Sequence, residues 1–94
     1  MTPIRSRMGP LTASELESLG IRTVEKLQAL GWEEAFLRWV EAYPERLNRN
    51  AAAGLVAAEI GVSWRELGEK EKALARSVVD RVRREWGLHA RRRR

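Results

Sequence analysis

The chain contains no cysteine, one histidine (His89), one aspartate (Asp80) and three prolines in 94 residues. Without cysteine there is no disulfide framework, no thiolate zinc site and no cysteine nucleophile. No run approaches the ~20 apolar residues of a membrane span. The first residues lack the apolar core of a secretory signal, since Ile4 and Met8 stand among Thr2, Pro3, Arg5, Ser6, Arg7 and Gly9. The expectation is a cytoplasmic protein with no membrane partner. Phosphate loops of the Gly-x4-Gly-Lys-Ser/Thr or GxGxxG type are also missing. The glycines are isolated and fall where helices end. His89 lies beyond the last expected helix, and the glutamates fall mainly on outer faces. These absences predict a non-catalytic chain with no metal, cofactor or small-molecule substrate.

What is present is a globular composition, 44% apolar and 33% charged. The length fits one domain. The formal net charge of +5 is unevenly placed. Residues 1–80 hold eleven Lys and Arg against twelve Asp and Glu, a net of −1. Residues 81–94 hold seven Arg and one Glu, a net of +6. An electrostatic argument for nucleic acid therefore concerns Arg81, Arg83, Arg84, Arg91, Arg92, Arg93 and Arg94. These arginines could neutralise several phosphates without reading sequence. No aromatic residue interleaves with Arg91–Arg94, so no stacking platform for single strands is indicated.

The apolar residues follow a period near 3.6 throughout, and nothing reads as a strand. After an irregular lead-in, a helix is predicted over 10–19 with Leu11, Leu16 and Leu19 inward and Gly20 just past its end. Thr23 caps a second helix with Val24, Leu27 and Leu30 inward, closed by Gly31. Trp32, Ala35, Phe36, Trp39, Val40 and Tyr43 form the stripe of a third, stopped by Pro44. Asn48 or Asn50 caps a fourth, which runs to Ile60 and closes at Gly61. Ser63 opens a short turn with Trp64 and Leu67. The last helix is predicted from Glu69 to Trp86, with Leu74, Val78, Val82 and Trp86 inward beside Ala75 and Val79, and Gly87 ending it. The result is an all-α, compact bundle of about five helices over 1–87, followed by a basic tail over 88–94. Trp39 and Trp64 fit the core. Trp32 and Trp86 are expected to be partly covered, which makes them candidate partner-binding residues for a protein partner or homodimer.

The segment from Met8-Gly9-Pro10 through Leu19-Gly20-Ile21-Arg22-Thr23-Val24 and Leu27 resembles a helix-hairpin-helix unit. In it Gly20 reverses the chain, Ile21 plugs the core and Thr23 caps. With Leu30-Gly31, Glu34-Ala35-Phe36, Asn50, Leu55, Ala58, Gly61, Trp64 and Leu67, the order and spacing resemble the C-terminal domain of TfoX-type competence regulators. That resemblance implies a helix-hairpin-helix or SAM-like fold, bacterial origin and a place in competence or DNA-uptake regulation. It also implies a standalone version, as no stretch resembles the N-terminal TfoX domain. The hairpin residues are then Gly9, Pro10, Gly20, Ile21 and Thr23. Leu11 stands where the family carries Lys, which gives it a core or partner-facing role. The reading is a binding module associated with DNA, or alternatively a protein-interaction module without nucleic acid.

Overall fold

The computed structural model describes residues 1–92, with Trp64 and residues 87–92 described by their backbone alone. Five α-helices carry the described chain: α1 (Pro10–Ser18), α2 (Val24–Leu30), α3 (Trp32–Ala42), α4 (Arg49–Ile60) and α5 (Glu69–Arg92). Short 3-10 turns at Ile4–Ser6, Pro44–Arg46 and Trp64–Glu66 fill the connections. Among the described residues the only β-pairing is one isolated antiparallel bridge, Pro3 with Thr23. The fold is all-α, as the periodicity predicts.

Local chemistry sets the boundaries. Pro10 occupies the first position of α1, where its missing N–H costs nothing. At the other end Gly20 adopts φ +87°. Its N–H donates to the Glu17 carbonyl at 3.0 Å and the Ile21 N–H to the Leu16 carbonyl at 3.0 Å. This is a Schellman closure, and its two apolar partners, Leu16 and Ile21, are both fully buried. The Thr23 hydroxyl then accepts from the Lys26 N–H at 3.0 Å and starts α2. We expect Thr23→Ala to cost about 1 kcal/mol, the usual worth of such a cap. Urea unfolding would show it, and an unchanged midpoint would mean that water replaces the hydroxyl.

Gly31, at φ +86° and ψ 144°, both ends α2 and begins α3. A residue with a Cβ adopts that angle only with strain. Between the two possible caps of α4, Asn48 is the one used: its side chain accepts from the Ala51 N–H at 2.7 Å.

One core unites the helices. Ile4, Leu16, Ile21, Val24 and Leu27 pack with Ala35, Phe36, Trp39 and Val40 of α3, Ala52, Leu55 and Val56 of α4, and Ala75, Val78, Val79 and Val82 of α5. Helix α4 lies antiparallel to α5, since Leu47 meets Arg83 and Arg49 meets Asp80. The small Ala52, Ala57 and Ala58 let neighbours approach closely.

Four expectations change. Leu11 is 65% exposed and Leu74 is 55% exposed, so neither faces the core. Leu11 lies about 140° around the helix from Leu16 at 100° per residue. Residues recurring every four positions drift by about 40° per step, so the row from Leu74 to Trp86 crosses the buried stripe obliquely. The lead-in is ordered rather than irregular, with Ile4 wholly buried. The α5 backbone also stays helical past Gly87, to Arg92. A helical glycine costs only ~1 kcal/mol, and Leu88, Ala90, Arg91 and Arg92 are good helix formers.

Candidate functional site

The hairpin divides into two parts with different surroundings. Around Gly20–Val24 the backbone is already engaged by the N-terminal segment. The Ile4 N–H donates to the Arg22 carbonyl at 2.9 Å, and the Val24 N–H to the Thr2 carbonyl at 2.8 Å. The Thr2 N–H in turn donates to Glu25 at 2.7 Å, which holds the Glu25 carboxyl below its ordinary range. Ile21 is buried and Thr23 is spent on its cap. Gly9 and Pro10, by contrast, are exposed at the start of α1. The arginines of their own segment turn elsewhere. Arg5 pairs with Glu17 at 2.9 Å. Arg7 donates to the Ala58 carbonyl at 2.8 Å and closes the end of α4, against Gly61.

The basic residues of α5 fare differently. Arg81 reaches Glu33 of α3 at 3.4 Å, and Arg83 donates to the Leu47 carbonyl at 3.3 Å. Both contacts are exposed, and exposed pairs of this kind are worth ~0–1 kcal/mol, so neither guanidinium is firmly held. Arg84 is exposed, projects opposite the buried stripe and has no partner among the described residues. The side chains of Arg91 and Arg92, and all of Arg93 and Arg94, lie outside the described residues. Trp32 is half-buried against the core. Trp86 is 38% exposed, at the edge of a groove with Leu37, Val40, Pro44 and Val82. Trp39 is buried, and the Trp64 side chain lies outside the described residues.

One cluster escapes the sequence. Glu15, on α1, is 7% exposed. One of its oxygens accepts from the Trp39 indole N–H at 2.8 Å and from Arg46 Nε at 2.8 Å, and the other accepts from Arg46 Nη2 at 2.6 Å. The Arg46 guanidinium stands 5.9 Å from the Trp39 ring centre. Hydrogen bonding from Arg46, aided by Trp39, holds the Glu15 carboxyl below its ordinary range despite burial. A carboxylate so fully engaged and so firmly ionised has no proton to give near neutral pH. Its role is to tie α1, α3 and the Pro44–Arg46 turn together. No local signal marks it, because its partners lie 24 and 31 residues away.

Among the described residues no group of three or more His, Cys, Asp or Glu side chains is placed to hold a metal ion. None of the described helices is long and apolar enough to cross a membrane. The family model of the TfoX C-terminal domain matches residues 6–77. The chain belongs to the TfoX C-terminal domain family. No curated protein and no solved structure matches it significantly. The match runs from the 3-10 turn at Ile4–Ser6 into the third turn of α5. The arginine-rich end of α5 therefore lies beyond the part that this TfoX C-terminal domain shares with its family. The hairpin and the Glu15 cluster lie within it.

Proposed function

We propose that this TfoX C-terminal domain is a non-catalytic binding module in competence or DNA-uptake regulation, and that it associates with DNA through the basic end of α5. One observation carries the reading. Seven arginines and one glutamate occupy residues 81–94, of which 81–92 lie on a helix whose last buried position among the described residues is Val82. The positive charge is thus gathered on an element already anchored to a nearly neutral body. Such an arrangement favours phosphate contacts that do not read sequence. The hairpin contributes mainly architecture, since its Gly20–Val24 backbone is occupied by the chain's own N-terminus. The non-catalytic part of the reading is supported by the saturation of Glu15 and by the lack of a histidine before residue 89.

The test is fluorescence anisotropy of a labelled random-sequence duplex at several salt concentrations. The full chain is compared with a variant carrying Ala at Arg91, Arg92, Arg93 and Arg94. Each phosphate contact contributes about 0.9 to the slope of log K against log salt. Removing four flattens the slope by up to about 3.6. A full chain that shows no salt-dependent binding at low ionic strength would sink the proposal.

A further inference from the structure

A second basic surface lies on the folded body, between α4 and the first half of α5. Arg49, Asn50 and Ala53 of α4 face Glu69, Lys72, Ala75 and Arg76 of α5 across a cleft of about 230 Å³. Ala53 and Ala75 make its floor. The side chains of Lys72 and Arg76 are exposed and form no ion pair or hydrogen bond among the described residues. They stand one helical turn apart, about 6 Å along α5, and Arg83 follows about 10 Å further on. At 100° per residue all three fall within about 40° of one another, on the flank of α5 that faces the start of α4. Arg49 completes the rim. Its partner Asp80 is held at only 3.4 Å, with both side chains about half exposed. Four cations thus meet two carboxylates, Glu69 and Asp80, in a region where the rest of residues 1–80 is net acidic.

We infer that the α4–α5 cleft, through Lys72, Arg76 and Arg49, is a second phosphate-binding surface that seats the backbone of a nucleic-acid duplex. The inference rests on the DNA reading above and adds a contact that reading does not contain. Three features choose this partner. The cations are spaced in a row along one helix flank, as a strand of phosphates is. The row continues through Arg83 along the same flank of α5, so one backbone can follow all three. Among the described residues the cleft is lined by no aromatic side chain, and so offers none of the stacking that a single strand uses for affinity.

The experiment measures anisotropy of a labelled random duplex, and of one of its single strands, over a salt series, with the full chain and full-length variants. Lys72→Ala/Arg76→Ala is expected to flatten the duplex salt slope by about 1.8, the share of two phosphate contacts. Its circular dichroism should match the wild type, since both side chains are exposed and have no partner among the described residues. Arg22→Ala, an exposed arginine on the α1–α2 turn, is expected to leave the slope unchanged. If Lys72→Ala/Arg76→Ala keeps the wild-type slope while Ala at 91–94 removes binding, the cleft is not a contact and the basic end acts alone. An equal loss in Arg22→Ala would mean diffuse attraction and would also overturn the cleft. Tighter binding of the single strand than of the duplex would overturn the choice of partner. Should the wild type bind polyglutamate but neither nucleic acid, both this inference and the DNA reading fall, and an acidic protein segment takes their place.

Discussion

Glu15→Ala lowers the stability of the fold by about 3 kcal/mol. The substitution removes an acceptor that three N–H groups share, two from Arg46 and one from Trp39. Breaking a buried pair by deleting one partner costs ~3–5 kcal/mol, because the other is left without compensation. Arg46 keeps 26% of its side chain accessible and can partly rehydrate, which places the effect at the lower end. The indole N–H of buried Trp39 has no such escape. For a domain of this size, each kcal/mol shifts the melting temperature by roughly 4–8 °C. Thermal melts by circular dichroism measure it directly. A melt within a degree or two of the wild type would mean that the cluster behaves as an ordinary surface pair.

The same carboxylate sets an acid limb. Its folded-state pKa is depressed, so folding favours the ionised form. The stabilisation is complete above the ordinary glutamate value and is lost as pH falls through the lowered one. Glu15→Gln, which retains an acceptor for Trp39, gives a flatter stability profile over that acidic window.

Phe36→Ala has the largest effect of all, about 3–5 kcal/mol. Phe36 is wholly inaccessible and sits mid-way along α3, where that helix meets the common core. Truncation loses the transfer energy of the ring and leaves a cavity that surrounding helices fill only in part. A chain of this length has roughly 5–14 kcal/mol of total stability, so the variant stands near the threshold of folding. Phe36→Leu, which keeps most of the volume, should lose much less. Urea denaturation separates the two cases by midpoint, with the slope unchanged for a purely native-state effect. If Phe36→Ala unfolded at the wild-type midpoint, the ring would not be part of the core.

Much of the fold is legible in the residues themselves. Thr23 and Asn48 are good caps by chemistry, Gly20 and Gly31 allow backbone angles that other residues resist, and the α3 stripe keeps its face for three turns. These signals are local, and local physics decides them. For Leu11 and Leu74 apolar character alone does not give direction. The angle around the helix decides, and it carries each of them away from the core. Gly87 is misread as a stop, although glycine ends a helix only where the chain must turn left-handed. Glu15 is unreadable for a different reason. Its neighbours in space come from α3 and the turn after it, and nothing near it in the chain reports them. The basic end is the reverse case. Its charge is evident from composition, whereas the α4–α5 cleft appears only when two segments about twenty residues apart are laid side by side.

Among the described side chains of α5 the last buried one is Val82, and Arg83 to Trp86 are all exposed. Substitutions at the buried positions Ala75, Val78, Val79 and Val82 are judged by whether the body still folds. Exposed positions such as Arg84, with no partner among the described residues and opposite the buried stripe, escape that test, so charge there can be gained, lost or exchanged at little cost in folding. Evolution, or an engineer, can therefore retune the surface charge of this stretch of α5 while leaving the body unchanged.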